Sequence, residues 1–446
     1  MFRRLSISSW KFFWGGEGMS FRTGKYFGQA LLVGLFAGLV VVAFRFLIQL
    51  GYEWITARVL RAEHLTWAGI DPVRLVLPAA GALLGYLLIR RFDSLEHARG
   101  TDSAVLAYHR RHGYVPPAVL PVKSVASVLT VASGGSAGYE GPVTLLGASC
   151  GSIVASWFGL SSRARRILMV AGISAGIAAL FQAPLAGAIF GFEVLYSSSD
   201  IEYDCILPCF VASTVAYTVF AYFFGWGALF PMPGAVAYEN GLRLLPYFVL
   251  AVAVTFGVRL YISVFNWSER SFGDVAVPGW AKVVIGGLLT GLVGLFVPEV
   301  FGTSYPVIQK TLTVGELSFW GLVTIFFAKV FATSFTVGSG GSGGVFAPAI
   351  VCGGTLGGAV GVVFAKILPS SWGVNPAAFA LVGMAGFLAS AIRTPLTAIV
   401  MVAEISGNHQ LLVPAMWVCG ISFWLNDGWS LYRSQVHNRE SSPVHA

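Results

Sequence analysis

Apolar stretches alternate with short polar breaks along nearly the whole chain. A helix that crosses a bilayer needs about 20 apolar residues, and several of these stretches are shorter or are interrupted by Gly and Pro. Such breaks occur at membrane depth only where protein or a water-filled cavity surrounds the exposed backbone. The pattern therefore predicts an all-α integral membrane protein built from broken and tilted transmembrane helices. The apolar stretches cover residues 27–50, 74–90, 117–133, 142–160, 167–195, 205–232, 244–266, 280–301, 317–335, 345–366, 376–404 and 410–425.

Composition supports a membrane protein and excludes an ordinary soluble domain. Of the 446 residues, 56% are hydrophobic and 11% are charged, whereas soluble domains carry about 25% charged residues. The net charge of +8 arises mostly in short loops and tails, so it does not require a nucleic-acid partner. The five cysteines lie in apolar stretches and show neither a disulfide framework nor metal-binding spacing. We expect small buried cysteines, and no cofactor or metal.

The first residues of the chain indicate its orientation. Lys and Arg concentrate on the cytoplasmic side of membrane proteins, and residues 1–26 are basic. We therefore expect a multi-pass protein of the cell inner (plasma) membrane with both termini cytoplasmic: residues 1–26 as an N-terminal segment and residues 433–446 as a short tail. The basic residues of the N-terminal segment are Arg3, Arg4, Lys11, Arg22 and Lys25.

The sequence repeats itself at a nearly constant offset. "SGGSAGYEGP" (133–142) aligns with "SGGSGGVFAP" (339–348) at an offset of 206, and "GTDSAV" (100–105) aligns with "GTSYPV" (302–307) at 202. These matches predict two homologous membrane halves, 27–232 and 244–432. The spacing of Gly172, Pro184 and Glu193 recurs as Gly383, Pro395 and Glu404. Transporters often use such repeats in inverted orientation, with a substrate site between broken helices near the midplane.

The two Gly-rich loops have the character of anion sites. Each ends in a proline, Pro142 or Pro348, which fits the first turn of a helix. A helix N-terminus presents free N–H groups and a partial positive charge to an anion. The first loop also holds Glu140, the one charged residue between Lys123 and Arg163, and a charged group inside a membrane is functional by default. The alternative is that the glycines only allow close helix packing.

An enzyme is the remaining class to weigh. The GxSG-like loops raise the alternative of an intramembrane serine hydrolase, which needs a histidine base. All seven histidines lie in loops, segment ends or tails, so the sequence predicts a protein that is not an enzyme. "GSGGSG" (338–343) resembles a dinucleotide fingerprint, but no acidic residue for the ribose occurs from 341 to 403, and such a residue is expected about 20 positions later.

Three motifs resemble those of the CLC family of chloride channels and proton/chloride antiporters. "GYEGP" (138–142) resembles that family's G(K/R)EGP motif, "GGVFAP" (343–348) resembles GxFxP, and "SLYRSQV" (430–436) resembles the family's C-terminal segment. The resemblance runs over nearly the whole membrane region. Because only a short polar stretch follows Tyr432, it points to the prokaryotic type without CBS domains.

The resemblance implies roles for specific residues. Glu140 would be the gating glutamate, and Lys123 a charge near the anion path. Thr101 would take the place of the serine in the first anion loop, where a hydroxyl fits chloride better than nitrate. The chloride-binding residues would be Thr101, Val345, Phe346 and Tyr432, and the anion-loop backbone would comprise Gly100, Gly138, Tyr139, Gly141 and Gly344. The implied partners are chloride and other small anions, protons at Glu140, the lipid bilayer and a second copy of the chain in a homodimer.

The inner proton site is where the sequence departs from many antiporters of the family. They carry two acids in succession at the end of "APLAGxxFxxEE", the second of which relays protons. Here Glu193 is followed by Val194, and family channels also have valine at that position. The resemblance therefore predicts chloride transport that is channel-like or weakly coupled, with a strict proton/chloride antiporter as the alternative. Glu193 and its repeat partner Glu404 are interpreted as structural acceptors of backbone hydrogen bonds.

Overall fold

The computed structural model describes residues 26–60, 71–92, 100–232, 241–313 and 316–445. Over these ranges the chain forms sixteen α-helices, a π-helix at Tyr52–Leu60 and several short 3₁₀ turns, and its only β-type pairing is two isolated bridges. The prediction of an all-α protein is confirmed. The expected cytoplasmic segment 1–26, including its basic residues, lies outside the described residues except for Tyr26.

The helices fall into two successive sets of eight. The first set is α1 (Phe27–Gly51), α2 (Pro72–Arg90), α3 (Thr101–Arg110), α4 (Val119–Ala132), α5 (Glu140–Trp157), α6 (Ser162–Phe181), α7 (Pro184–Glu193) and α8 (Ile206–Phe224). The second set is α9 (Leu245–Asp274), α10 (Gly279–Phe296), α11 (Tyr305–Leu312), α12 (Phe319–Gly338), α13 (Phe346–Ile367), α14 (Pro376–Ala391), α15 (Pro395–Ser406) and α16 (Leu412–Leu425).

Eight helical segments of the described chain are long and apolar enough to cross a membrane. The protein is therefore a multi-pass membrane protein. The segments are Phe27–Leu60, Pro72–Arg90, Ser162–Phe181, Tyr203–Phe224, Gly241–Asp274, Gly279–Phe296, Phe319–Gly338 and Phe346–Ile367.

Two of the predicted apolar stretches are each broken into a pair of helices. The stretch 167–195 ends one helix at Phe181 and begins the next at Pro184, and 376–404 is interrupted in the same way before Pro395. Proline suits the first turn of a helix because it has no N–H to leave unpaired. The linking residues Gln182 and Arg393 have positive φ angles of 54° and 61°. These breaks place helix ends inside the protein.

The two halves meet through reciprocal contacts, as an inverted repeat requires. Gly138 and Gly344 exchange both backbone N–H···O=C bonds at 2.8 Å in an antiparallel bridge. Glu193 at the end of α7 accepts bonds from the first turn of α15, and Glu404 near the end of α15 accepts bonds from the first turn of α7. Each of these contacts is thus repeated with the two halves exchanged. This is the pattern that a two-fold operation relating the halves produces. The exact boundaries 27–232 and 244–432 stay predictions.

Some of the glycines do serve close helix packing. On α5 and α6, a Cβ at Gly147 would lie 2.1 Å from the carbonyl oxygen of Gly172. On α13 and α14, a Cβ at Gly353 would lie 2.5 Å from the carbonyl oxygen of Gly383. Small residues at such contacts let helix backbones approach closely within a membrane. These glycines therefore serve the close packing of α5 against α6 and of α13 against α14. They are separate from the glycines of the two Gly-rich loops.

Residues 430–445, hereafter the C-terminal segment, pack against the helices. The backbone N–H of Leu431 donates to the Ala391 carbonyl at 2.9 Å, and that of Ser197 donates to the Val436 carbonyl at 2.9 Å. Near the end of the segment Ser442 is fully buried. The C-terminal segment is thus tied to both halves of the protein.

Candidate anion site and gate

The N-termini of α3, α5 and α13 approach one another through Gly100, Gly141 and Gly344. The hydroxyl of Tyr305, the first residue of α11, reaches the same place. The first N–H groups of a helix have no partner within it and carry the positive end of the helix dipole. The convergence concentrates partial positive charge without placing a lysine or arginine at the exact meeting point. It is an arrangement that favours an anion.

Glu140 occupies this meeting point with its own carboxylate. The side chain is 1% exposed. Its Oε1 accepts a hydrogen bond from the Tyr305 hydroxyl, and its Oε2 accepts one from the Ala347 N–H at 3.2 Å. Ala347 is the second residue of α13, so the carboxylate lies at a helix N-terminus where a free anion would otherwise bind.

Glycines make room for this carboxylate. A Cβ at Gly138 would lie 1.9 Å from Oε2 of Glu140, which is too close for any side chain. Gly100, immediately before α3, has a φ of +68°, and a Cβ there would lie 3.0 Å from the backbone of Gly141. Gly141 and Gly344 pack equally closely, since a Cβ at Gly344 would lie 2.7 Å from the Gly141 nitrogen. The predicted loop glycines thus allow three backbones to converge.

A cavity of about 370 Å³ lies next to Gly141. Its lining includes Gly141 but not Glu140, so the described cavity stops beside the carboxylate. Basic and acidic side chains both line it, and Glu269 is paired with Arg433 at 2.6 Å. The predicted site residues that line the cavity are Thr101, Lys123, Gly141, Gly344, Val345 and Tyr432, and the other charged residues are Arg90, Asp102, Glu269 and Arg433.

Two hydroxyl groups face the cavity close to Glu140. Thr101 is 2% exposed and Tyr432 is 5% exposed. The two side chains face each other, but no hydrogen bond of ordinary geometry joins them. Thr101 Oγ1 is buried without a hydrogen-bond partner among the described residues. A buried hydroxyl is normally paired, so this donor is available to a bound anion.

Asp102 holds the C-terminal segment in place at the cavity. Its carboxylate accepts hydrogen bonds from the backbone N–H of Ser434 at 2.8 Å and from the Ser434 hydroxyl at 2.9 Å. Gln435 then donates to the carbonyl oxygens of Val194 at 2.9 Å and Ile392 at 3.0 Å. These bonds fix the stretch of backbone that carries Tyr432.

The aromatic rings of two other predicted site residues, Phe346 and Tyr139, pack against other aromatic side chains. The Phe346 ring is fully buried against Phe181 and Phe190, with ring centroids 5.2 and 5.8 Å apart. The Tyr139 ring meets the edge of Phe44 at 5.7 Å. Since these rings lie among other aromatic side chains, the groups that Phe346 and Val345 can offer an anion are the free N–H groups at the start of α13.

Glu193 and Val194, predicted as the inner proton-site position, lie apart from the bonds that hold Glu140. Glu193 is 2% exposed, and its carboxylate accepts bonds from Leu396 N–H at 2.8 Å and from Thr397 N–H and Oγ1 at 2.8 and 2.6 Å. This commits its oxygens to the N-terminus of α15. Val194 is fully buried and provides no titratable group.

The structure adds two residues that sequence reasoning missed. One is Tyr305, which donates to Glu140. The other is Lys329, a fully buried lysine whose Nζ donates to the carbonyls of Val300 at 3.0 Å and Gly302 at 2.8 Å and to Ser304 Oγ at 2.7 Å. It therefore braces the loop that ends in Tyr305.

The internal repeat contained a signal for both missed residues. Lys329 is the repeat partner of Lys123 at the same offset of 206, and Tyr305 belongs to "GTSYPV", the partner of the first anion loop. Lysine is also rarely buried unless it is paired.

Comparison with known proteins gives matches over most of the chain. A family model described as voltage gated chloride channel matches residues 80–427. A putative chloride channel protein ClcB-like from Ralstonia nicotianae is 31% identical over 397 residues, which is 87% of this chain and 90% of the relative. An H(+)/Cl(-) exchange transporter ClcA from Yersinia pseudotuberculosis is 31% identical over 408 residues, covering 88% of this chain and 82% of the relative.

Solved structures share the fold at lower sequence identity. A CLC-type fluoride/proton antiporter superimposes with a TM-score of 0.81 at 22% identity, covering 94% of this chain and 100% of that chain. A slow cyanobacterial Cl-/H+ antiporter superimposes with a TM-score of 0.75 at 24% identity, covering 91% of this chain and 94% of that chain. At these identities the similarity establishes the architecture.

Proposed function

The chain belongs to the CLC family of voltage gated chloride channels, and from that premise we propose that it carries chloride across the membrane along a path gated by Glu140. The observation that carries the proposal is the position of the Glu140 carboxylate. It accepts the Ala347 N–H at the start of α13, directly beside a cavity that is lined by hydroxyl groups and basic side chains.

The chemistry of the site suits an ion that must bind and then leave. Chloride needs hydrogen-bond donors and positive potential, which the convergent helix N-termini, Thr101 and Tyr432 supply. Lys123 and Arg90 also line the cavity, where their positive charge attracts anions. Partial charges hold an anion less firmly than a contacting ammonium or guanidinium, so release stays fast.

Glu140 acts as a gate because its carboxylate competes with chloride for the same donors. While ionised, it accepts from Tyr305 and Ala347 and closes the path. Once it is protonated, it loses its attraction to the helix ends and can swing aside. Low pH and high chloride concentration therefore both favour the open path.

Two modes of transport remain as candidates. Val194 supplies no proton carrier, which favours the channel-like mode expected from the sequence. The second mode is proton-coupled chloride exchange, and two observations favour it. An H(+)/Cl(-) exchange transporter is among the relatives, and a separate buried cluster of titratable side chains begins at Tyr196, two residues beyond Val194. By resemblance we also propose a homodimer in the inner membrane with both termini cytoplasmic.

Anion efflux from proteoliposomes tests the proposed function. Vesicles loaded with chloride and containing the protein should release it faster than protein-free vesicles when a potassium ionophore balances the charge. Thr101→Pro removes the hydroxyl donor and should lower the chloride-to-nitrate flux ratio by about tenfold. The reason is that losing a hydrogen bond to an ion costs at least about 1.5 kcal/mol.

Thr101→Ser is the matched control for this experiment. It keeps the hydroxyl donor at the first residue of α3 and should keep the wild-type ratio. Wild-type efflux no faster than that of empty vesicles would refute chloride transport. An unchanged ratio in Thr101→Pro would remove Thr101 from the anion path.

A further inference from the structure

A second group of buried titratable side chains lies between the turn after α7 and the end of the C-terminal segment. At its centre is Glu202, which is 2% exposed. Its Oε1 accepts hydrogen bonds from the Tyr196 hydroxyl and from His445 Nε2, the latter at 2.7 Å. We propose that Glu202 is the site that takes up protons from water on this face of the protein and supplies them for exchange with chloride. The inference rests on the proposed function in its proton-coupled mode.

His445 connects Glu202 to water. The His445 side chain is 28% exposed, whereas that of Glu202 is 2% exposed. Because a carboxylate only accepts, the proton of this bond is on Nε2. A proton from water can bind Nδ1 while the Nε2 proton passes to Glu202 Oε1. The imidazole is then neutral with its proton on Nδ1, and Glu202 is a neutral carboxylic acid.

A further titratable group extends this cluster into the protein. His109, near the end of α3, is 3% exposed, and its ring lies 5.6 Å from that of Tyr196. Its Nε2 bonds the Leu195 carbonyl at 3.0 Å and its Nδ1 bonds Ser442 Oγ at 2.9 Å. Since a carbonyl only accepts, Nε2 carries the proton and Nδ1 is the acceptor. The cluster therefore reaches Leu195, directly after Val194.

Two elements join this cluster to the anion cavity. Helix α3 begins with Thr101 at the cavity and carries His109 near its other end. The C-terminal segment carries Tyr432 at the cavity and His445 at Glu202. A change of charge at Glu202 thus acts on the same helix and the same segment that present the two hydroxyl groups to chloride.

The surroundings of Glu202 offset its charge only in part. Arg439 Nε lies 3.4 Å from Oε1 but makes no hydrogen bond of good geometry there, and its side chain is one-third exposed. The nitrogen nearest to Oε1 is therefore Nε2 of His445, whose side chain also reaches the surface. The other titratable or charged groups that face it are Tyr108, His109, Arg163 and Cys205.

The test measures chloride and proton movement together in the same proteoliposomes. An outward chloride gradient should drive protons uphill in the wild type. Glu202→Gln should lower proton movement by about 100-fold, the lower range for loss of a positioned proton-transfer group, while chloride flux is retained. Asp204→Asn is the matched control. Asp204 is two residues from Glu202 in the chain, and its half-exposed carboxylate pairs with Arg163. This variant should leave both fluxes unchanged.

Each outcome decides the proposal. Proton movement at the wild-type chloride-to-proton ratio in Glu202→Gln would overturn the proposal. An equal loss of both fluxes would also overturn it, because that is the result expected if Glu202 only stabilises the structure. Wild-type chloride flux without proton movement would overturn it and leave chloride transport standing, whereas absence of chloride flux would overturn the proposed function itself. If Glu202→Gln fails to fold, His445→Gln decides: slower proton movement with unchanged chloride flux supports the proposal, and unchanged proton movement overturns it.

Discussion

Glu140→Gln is expected to abolish the pH dependence of chloride flux and all coupled proton movement. The amide has nearly the shape of the protonated carboxyl group but cannot ionise, so it no longer competes with chloride for the N-terminus of α13. Flux should be high and equal at pH 7 and pH 4.5, whereas wild-type flux should rise as the pH falls. The measurement is chloride efflux from proteoliposomes over this pH range.

Tyr305→Phe is the informative companion variant. It removes the hydroxyl that donates to Glu140 and keeps the carboxylate and its bond to Ala347. A hydrogen bond to a charged group contributes about 1.5–3 kcal/mol, so basal flux at pH 7 should rise about tenfold or more while the pH dependence remains. A steep response to pH in Glu140→Gln would place the gate at another residue.

Glu193→Gln is expected to destabilise the whole membrane domain rather than alter the gate. The Glu193 carboxylate accepts three hydrogen bonds from Leu396 and Thr397, and an amide nitrogen cannot accept. At least one buried backbone N–H then loses its acceptor, at a cost of about 1–3 kcal/mol each. We expect a loss of about 2–4 kcal/mol in the free energy of unfolding, because a bond to a charged acceptor is also lost.

The repeat provides a matched control for this variant. Glu404 makes the equivalent bonds to Leu185 at 3.0 Å and Ala186 at 2.7 Å, but no side-chain hydroxyl joins them among its described contacts. Glu404→Gln should therefore lower the thermal unfolding midpoint of the purified protein less than Glu193→Gln does. If the Glu193→Gln protein has wild-type stability but no proton movement, the result would instead indicate that Glu193 carries protons.

The parts of the site that the sequence could predict are those that depend on residues adjacent in the chain. Glu140 stands out because one carboxylate lies between glycines in an apolar stretch, and its loop has a repeat partner at a constant offset. The breaks before Pro184 and Pro395 follow from local backbone chemistry, since proline fits a first helical turn. These features depend on neighbours in the chain, so a single sequence contains them.

The parts that sequence could not predict depend on contacts between distant residues. Tyr305 lies in the repeat partner of the first anion loop, but its bond to Glu140 joins positions 165 apart and forms only in the folded chain. Lys329 could have been found from its partner Lys123, but its role became visible only once Val300, Gly302 and Ser304 were seen around it.

The Glu202 cluster was hidden for the same reason. Glu202 and His445 are separated by 243 residues, and neither belongs to a periodic pattern or to the matched motifs of the repeat. A polar stretch after the last membrane helix has no hydrophobic period that would indicate packing. Its hydrogen bonds to Asp102, Ser197 and Glu202 depend on the completed fold, which brings the C-terminal segment against both halves.

The central claim is that the Glu140 carboxylate occupies an anion-binding site, and anomalous diffraction from bromide tests it most directly. Crystals of Glu140→Gln and of the wild type at neutral pH would be grown in bromide. The account predicts a bromide within hydrogen-bond distance of the Ala347 N–H in Glu140→Gln, and the carboxylate in that place in the wild type. Bromide absent from that position in the variant, or bound there in the wild type beside an unmoved carboxylate, would contradict it.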